Sequence, residues 1–151
     1  MAAVVAAHRA TAGALLPLLR AVQQEFGYVP REAVADIALA LNLSRAEVHG
    51  TLSFYHDLRT DPPGRHVLRL CRAEACQAMG AAALAESALA RHGLAWGETA
   101  ADGSLTVEPA YCLGLCSCSP SALWDDEPVG RLDAATLDRL ITGARREAAA
   151  G

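Results

Sequence analysis

The sequence contains no lysine, so all thirteen of its basic residues are arginine, and they are outnumbered by seventeen acidic residues. The formal net charge is -4, and aromatic residues make up only 5% of the chain. The sequence shows no cluster of arginines and no stripe of interleaved basic and aromatic residues, which are features of nucleic-acid-binding surfaces. The composition therefore argues against a nucleic acid as partner.

Long apolar runs are missing as well. The longest ones, at residues 2–7 and 81–85, are far shorter than the roughly 18 residues that a membrane-spanning helix needs. The sequence begins without a basic segment followed by a hydrophobic stretch, so we expect no secretory signal. We therefore expect a cytoplasmic protein that does not insert into a membrane.

The N-terminal part of the chain has the pattern of a helical bundle. Apolar residues recur at helical spacing in two segments, which end at Gly27 and Asn42. Ser44 and Glu47 have the spacing of a capping box, in which each side chain satisfies a backbone N–H at the start of a helix. Residues 1–13 lack clear start and stop signals, so we expect a loosely attached leader there.

The second part of the chain changes to alternating strand and helix patterns. Residues 66–70 alternate apolar and polar side chains like a strand, and they lead directly into Cys71. A second short strand pattern, at 104–108, precedes the next cysteine pair. A single alanine-rich helix is expected at 79–92 between these strands, and a hairpin around the acidic turn 125–128 and a final helix follow them.

These patterns predict two parts, with a boundary at Asp61-Pro62-Pro63-Gly64, a segment that cannot continue a helix or a strand. We expect an N-terminal helical region at 1–62 and an α/β domain at 63–151. The order strand, helix, strand, strand, helix is typical of a small thioredoxin-like domain. The expected fold class is therefore α+β, with a helical bundle followed by a thioredoxin-like domain.

Five cysteines, an odd number, include two pairs with short spacing. Cys71 and Cys76 form a C-x4-C motif, and Cys112 and Cys116 form a C-x3-C motif. In a reducing compartment such pairs are more often metal or redox sites than disulfides. Both pairs follow predicted strands, and strands of one sheet can end side by side, so the four thiols can face one centre. We assign the fifth cysteine, Cys118, as a neighbour in the loop and not as a ligand.

The spacing of the cysteines leaves three kinds of site open. A 2Fe-2S cluster needs two cysteines for each iron, on loops that enclose the core from opposite sides. A structural zinc-binding interaction module usually has tighter pairs and a shorter gap between them. A thioredoxin-like dithiol is disfavoured because neither pair has the C-x-x-C form. Around the pairs, Gly114 would let backbone N–H groups approach sulfur, and Arg72 is the nearest cation by sequence.

Several segments beyond the cysteines carry a family resemblance. They are residues 24–30 (QEFGYVP), residues 53–55 (SFY) and Leu113-Gly114 inside the second cysteine pair. With these segments the chain resembles the thioredoxin-like 2Fe-2S subunits of NADH-linked complexes, including the small iron-sulfur subunit of respiratory complex I. The resemblance implies one 2Fe-2S cluster, with these four residues as its ligands: Cys71, Cys76, Cys112 and Cys116.

The resemblance also implies an electron-transfer role, with no active site in this chain. The expected partner is a flavoprotein subunit that binds FMN and NAD. The present sequence has neither a G-x-G-x-x-G motif nor a P-loop, so we expect it to bind neither nucleotide itself. Catalysis would then take place in another subunit of the same complex.

Within the family, residues 55–59 and the short length are most similar to the gamma subunit of soluble, molybdenum-containing, NAD-dependent formate dehydrogenases. This assignment implies a larger iron-sulfur and molybdenum subunit beyond the flavoprotein. The equivalent subunits of complex I and of NAD(P)-linked hydrogenases are the alternatives. Two features depart from the family pattern: Ser53 stands where threonine is common, and Cys118-Ser119 precedes Pro120 where small uncharged residues are usual.

Overall fold

The computed structural model describes residues 1–9 and 11–150 of the chain. Its internal contacts divide the chain into two compact units, Met1–Pro62 and Pro63–Gly151. Across the described ranges, no helix is both long enough and apolar enough to cross a membrane.

The described part of the first unit contains four helices: α1 (Ala2–His8), α2 (Leu15–Phe26), α3 (Ala33–Leu41) and α4 (Arg45–Phe54). Gly27 follows α2 with φ 81° and Asn42 follows α3 with φ 53°, a left-handed conformation that these two residue types adopt readily. The expected capping box at the start of α4 is confirmed. The Glu47 N–H donates to the Ser44 hydroxyl at 3.2 Å, and the Ser44 N–H donates to the Glu47 carboxylate at 2.8 Å.

The core of the first unit is formed by the apolar faces of these helices, with fully buried Leu18, Leu19, Val22, Ile37 and Val48 at its centre. Helix α1 contributes to it, because Met1, Val4 and Val5 are partly buried against the same cluster. The expectation of a loosely attached leader is therefore wrong for Ala2–His8, where an alanine-rich sequence favours a helix and two valines supply an apolar face. The expectation also covered Ala10, which lies outside the described residues.

The second unit is built on a sheet of four described strands: β1 (His66–Cys71), β2 (Leu105–Ala110), β3 (Ala122–Trp124) and β4 (Glu127–Val129). The strand order is β2-β1-β3-β4. Strands β1 and β2 are parallel, and the two other neighbouring pairs are antiparallel. A parallel pair needs a crossover connection, which the helices between β1 and β2 provide.

The helices of this unit are α5 (Glu74–Ala78), α6 (Ala81–His92) and α7 (Ala134–Ala150), with a 3₁₀ helix at Cys116–Cys118. The single helix expected at 79–92 is wrong at its start, because Gly80 has φ 83° and separates α5 from α6. Buried side chains from the sheet, α6 and α7 form one core, with Leu68, Leu105, Val107, Leu137 and Ile141 fully enclosed. The predicted α+β class is confirmed.

The expected hairpin is present, but its turn is tighter than the sequence suggested. Strand β4 begins at Glu127, whereas the expected second strand began at Val129. Only Asp125 and Asp126 connect β3 and β4, with φ 48° and 72°. Two central residues with positive φ are typical of a type I′ hairpin turn, and aspartate tolerates this conformation better than most residues.

Candidate metal centre

Cys71 is the last residue of β1, and the second cysteine pair begins two residues after β2. The two strands are parallel and in register, with Cys71 opposite Ala110. One further main-chain bond, from the Arg72 N–H to the Ala110 carbonyl at 2.7 Å, extends the pairing past the end of β1. Because parallel strands end at the same edge of a sheet, the loop after β1 and the loop after β2 leave the sheet side by side.

Cys76 lies in the five-residue helix α5, directly after the loop that follows β1. Cys71 and Cys76 are both buried, with exposed fractions of 5% and 2%. They form a small apolar cluster with Ala81, and Leu113 packs against it from the second cysteine loop. Leu113 therefore joins the two loops, since it stands between Cys112 and Cys116 in the sequence.

Cys112 and Cys116 form a second pair, which is exposed at the surface of the unit. Their sulfur atoms lie 3.8 Å apart. The loop reaches this geometry with two residues of positive φ, Cys112 at 73° and Gly114 at 77°. Glycine adopts that conformation without strain, whereas at Cys112 it is uncommon and is held by the surrounding loop.

The sulfur of Cys76 has two serine hydroxyls beside it. Ser119 Oγ and Ser121 Oγ each lie 3.4 Å from Cys76 Sγ. Burial raises the pKa of the Cys76 thiol, but hydrogen bonds with the Ser119, Ser121 and Cys71 side chains and with the Ser121 backbone together outweigh this effect, and the pKa lies below its ordinary value. The environment of Cys76 therefore favours the thiolate, the form in which cysteine binds a metal.

The pKa of Cys116 depends mainly on its own pair partner. The pKa of Cys116 is raised, mainly because it shares a proton with Cys112 and is repelled by the charge there, with smaller effects from burial and from the charges of Cys76 and Cys71. Four thiolates placed within mutual electrostatic range repel one another unless a positive group lies between them.

The sulfurs of the exposed pair have the separation expected for two ligands of one metal ion. Two sulfurs bonded to one tetrahedral metal at about 2.3 Å lie about 3.8 Å apart, which is the separation between Cys112 and Cys116. Within residues 1–9 and 11–150, however, no three His, Cys, Asp or Glu side chains are grouped closely enough to hold a single ion. The four cysteines instead form one buried pair and one exposed pair.

Cys118 and Arg72 lie outside the two cysteine pairs. Cys118 Sγ lies 3.8 Å from Ser117 Oγ, and its pairing with the other thiols is not observed in the described part of the chain. Arg72 directs its guanidinium over the Trp96 ring, 5.0 Å from the ring centroid. Arg72 is therefore packed on an aromatic face and is not a freely solvated cation.

Neither Ser119 nor Ser121 is predicted from the sequence as a neighbour of Cys76. They lie 43 and 45 residues from it in the chain, and only the folded structure brings them together. The one sequence signal was the polar Ser-Pro-Ser segment directly after the cysteine loop, where Ser121 is nevertheless buried, at 2% exposed. A buried hydroxyl needs a hydrogen-bond partner, and the burial of Ser121 is visible only in the structure.

Comparison with known proteins places this geometry in a family. The family model of the thioredoxin-like [2Fe-2S] ferredoxin matches residues 1–145. A subunit of NADH-quinone oxidoreductase from Rhizobium meliloti (strain 1021) is 35% identical over 132 residues, which are 87% of this chain and 79% of that protein. Subunit 2 of the NADH-quinone oxidoreductase from Thermus thermophilus is also 35% identical, over 87% of this chain and 74% of the relative.

A solved structure shows the same fold. The match is to an NAD+-reducing [NiFe]-hydrogenase in the air-oxidized state, with a TM-score of 0.73 and 31% sequence identity over 88% of this chain. The present chain spans about a quarter of the hydrogenase chain that it matches, 23% of its length. These findings confirm the thioredoxin-like fold, the single 2Fe-2S cluster and the electron-transfer role. The chain belongs to the thioredoxin-like [2Fe-2S] ferredoxin family.

Proposed function

We propose that this chain is the 2Fe-2S electron-transfer subunit of an NAD-linked oxidoreductase of the NADH-quinone oxidoreductase type, with Cys71, Cys76, Cys112 and Cys116 as the cluster ligands. The observation that carries the proposal is the pairing of the cysteines at one sheet edge. One pair is buried at the end of β1, and the other is exposed with its sulfurs 3.8 Å apart. Two pairs of thiolates are what the two irons of such a cluster require.

The two pairs would have different tasks. When bound, the cluster supplies one-electron transfer, in which its formal charge changes from minus two to minus three with no ligand bond broken. Cys71 and Cys76 are buried in a small apolar cluster with Ala81, which keeps water from one side of the site. Cys112 and Cys116 lie at the surface, where a partner can approach closely enough to exchange an electron.

The partner we propose is a flavoprotein subunit that binds FMN and NAD. The chain lacks a dinucleotide-binding fingerprint and a P-loop, so the two-electron chemistry of NAD must take place elsewhere. The relatives are named as subunits, which supports a role inside a larger assembly. We propose a cytoplasmic location, a helical part at 1–62 and a cluster-binding domain at 63–151.

The choice of complex differs from the expectation based on residues 55–59. The relatives belong to NADH-quinone oxidoreductase and the structural match to an NAD+-reducing hydrogenase, so the comparisons favour these alternatives over a formate dehydrogenase. Residues 55–59 also have a local structural task. Gln23 Nε2 donates to the Asp57 carbonyl and the Arg59 N–H donates to Gln23 Oε1, both at 2.6 Å. Both bonds reach main-chain atoms, so the Gln23 side chain fixes the backbone path of this segment and not the identity of its side chains.

Iron and sulfide analysis of the anaerobically purified chain tests the cluster and its ligands together. We expect two irons and two acid-labile sulfides per chain, together with visible absorbance and an electron paramagnetic signal after reduction. Cys76→Ser should remove or destabilise the cluster, whereas the matched variant Cys118→Ser should leave the absorbance intact. One tightly bound zinc without sulfide would replace the proposal with a structural zinc module.

Native purification of the intact complex with its partners identifies the assembly. Mass spectrometry and metal analysis of the purified complex distinguish the three candidates. Partners that form a membrane arm would support the proposed NADH-quinone oxidoreductase type, a nickel subunit would select the hydrogenase, and a molybdenum subunit would restore the formate dehydrogenase assignment. Purification as a stable protein without any flavin-containing partner would contradict the proposal.

A further inference from the structure

The buried sulfur of Cys76 has hydroxyl neighbours that are not ligands themselves. Ser119 Oγ and Ser121 Oγ both lie 3.4 Å from Cys76 Sγ. The two serines flank Pro120, in the segment that leads from the second cysteine pair into β3. The same segment is tied to the first pair by the backbone, since the Cys71 N–H donates to the Ser121 carbonyl at 3.0 Å.

The two hydroxyls differ in whether their proton is free for sulfur. The Ser119 hydroxyl donates to the Cys116 carbonyl at 2.8 Å, and it accepts a hydrogen bond from the protonated Cys76 thiol. The Ser121 hydroxyl is buried, and Cys76 Sγ is its one hydrogen-bond partner within the described ranges. Each hydroxyl carries a single proton, so only Ser121 can donate to sulfur without giving up another bond.

Metal ligation removes the proton from Cys76, because the thiolate is the ligating form. The sulfur then has no hydrogen to donate, and every hydrogen bond to it must come from a neighbour. Ser121 has to be the donor, or its buried hydroxyl would be left unsatisfied, which costs on the order of 1–3 kcal/mol. Ser119 can donate to the thiolate only if it releases the Cys116 carbonyl.

We propose that Ser121 donates a hydrogen bond to the Cys76 thiolate and thereby raises the reduction potential of the cluster, with Ser119 in a smaller role. This inference rests on the proposed ligation by Cys76. Reduction by an external one-electron donor such as dithionite adds one negative charge to the site and breaks no ligand bond. A donor directed at sulfur stabilises the more negative state, so reduction becomes easier.

The buried pair is where such a donor matters most. Cys112 and Cys116 are exposed, so water can hydrogen-bond to their sulfurs. Cys76 is only 2% exposed and depends on donors from the protein. Ser121 thus supplies what solvent supplies at the other pair.

Redox titration of the full chain, anaerobically loaded with its cluster, tests the inference. Ser121→Ala should retain the cluster but have a more negative midpoint potential. At a fixed ambient potential we expect its ratio of reduced to oxidised cluster to fall by roughly threefold to tenfold, where tenfold corresponds to about 59 mV. Ser119→Ala should give a smaller shift, and Ser121→Thr, which keeps the hydroxyl, should restore most of the potential.

Ser117→Ala is the matched control. It removes a hydroxyl from the same loop, but Ser117 Oγ lies near Cys118 Sγ and not near Cys76. The midpoint potential of the Ser117→Ala variant should equal that of the wild type. An unchanged potential in Ser121→Ala with the cluster intact, or a larger shift in Ser119→Ala than in Ser121→Ala, would overturn the inference and leave the proposed function standing. A wild-type chain that binds no cluster would instead overturn the proposed function.

A second measurement avoids dependence on a variant that fails to fold. Deuterium exchange of a hydroxyl bound to a ligating sulfur should shift the iron–thiolate stretching bands in the resonance Raman spectrum of the wild-type chain. The shift should persist in Ser117→Ala and decrease in Ser121→Ala. A wild-type spectrum that is identical in light and heavy water would contradict a hydroxyl donor at this sulfur.

Discussion

The guanidinium of Arg72 lies 5.0 Å from the centroid of the Trp96 ring. Arg72 follows Cys71 directly at the end of β1, and its backbone N–H is also bonded to the Ala110 carbonyl. A cation over an aromatic face is held by the electrostatic attraction of the ring. The positive charge nearest in sequence to the first cysteine pair is therefore fixed in place by both its backbone and its side chain.

We expect Arg72→Gln to make the midpoint potential of the cluster more negative, because a nearby cation stabilises the added negative charge. Arg72 is partly exposed, so the difference from wild type should shrink when salt is raised from about 0.01 M to about 1 M, over which the Debye length falls from about 30 to about 3 Å. Redox titrations of both proteins at the two salt concentrations measure this difference in midpoint potential. The exposed Arg139 of α7 provides the control, and Arg139→Gln should leave the potential unchanged. Equal potentials for Arg72→Gln and wild type at low salt would limit Arg72 to packing.

The ring of His66 is held between two carboxylates at the start of β1. Nδ1 lies 2.5 Å from Asp125 Oδ2, Nε2 lies 3.0 Å from Glu147 Oε2, and the ring stacks on Trp124 with centroids 4.9 Å apart. The hydrogen bond with Asp125 is the main cause that raises the pKa of His66, burial opposes it, and Glu147 adds to the increase. Arg65 faces the same helix end, where its guanidinium donates to the Glu147 carbonyl at 2.8 Å.

A histidine with a raised pKa in the folded state binds its proton more tightly there than in the unfolded chain. Its stabilising contribution is therefore complete below the ordinary histidine pKa of about 6.5 and is lost as the pH rises through the raised folded value. Wild type should have a higher free energy of unfolding than His66→Gln at low pH. We expect this difference to decrease by a few tenths to about 1 kcal/mol as the pH rises from about 6.5 through the raised pKa of His66. Urea unfolding at a series of pH values measures it. A constant difference between wild type and His66→Gln across this range of pH would contradict the prediction.

Gly64 lies just before β1, where its backbone is in close contact with the backbone of β2. A Cβ at this position would lie 2.8 Å from the backbone N and C of Leu105, too close for any real contact, and the Gly64 N–H donates to Thr106 Oγ1 at 2.7 Å. We expect Gly64→Ala to reduce the free energy of unfolding by about 1–3 kcal/mol, since the backbone must shift. Gly143→Ala is the matched control within α7. Its Cβ would meet nothing within 4 Å, and alanine in a helix should stabilise by about 0.5–1 kcal/mol. Urea unfolding in which both variants change in the same direction would contradict this contrast.

The features that sequence analysis predicted correctly depend on neighbouring residues. The capping box of Ser44 and Glu47 needs only residues three apart, and the glycine after α2 needs only its own backbone freedom. The strand that leads into Cys71 follows from alternation over a few residues. Interactions between residues close in sequence determine each of these features. Packing in the folded chain therefore leaves the predicted helix ends and strand unchanged.

The features that were not predicted from the sequence depend on contacts between distant segments. Ser119 and Ser121 reach Cys76 only after β3 has paired with β1, and the packing of Leu113 on the first cysteine pair depends on the parallel register of β1 and β2. No periodicity in the sequence reports that register. The assignment of four cysteines as ligands stays a prediction, because it concerns the bound cluster.

The last prediction concerns Gly130, which supports the second cysteine loop from behind. A Cβ at Gly130 would lie 2.7 Å from the Cβ and 3.2 Å from the carbonyl oxygen of Cys118, and the Arg131 N–H donates to that carbonyl at 2.6 Å. Cys118 ends the 3₁₀ helix that begins at Cys116, so pushing it outward must move Cys116 as well. A side chain at position 130 therefore disturbs a proposed cluster ligand without touching it.

We expect Gly130→Ala to shorten the lifetime of the cluster in the presence of an iron chelator, because a displaced Cys116 sulfur holds its iron less firmly. The decay of the visible absorbance after mixing with the chelator measures this lifetime. Gly143→Ala should decay like wild type, since its Cβ meets no neighbour. Adding Cys118→Gly to the Gly130→Ala chain removes the atom that would lie at 2.7 Å, so part of the lifetime should return. If the double variant decays as fast as Gly130→Ala, the contact between positions 118 and 130 is not what holds the loop in place.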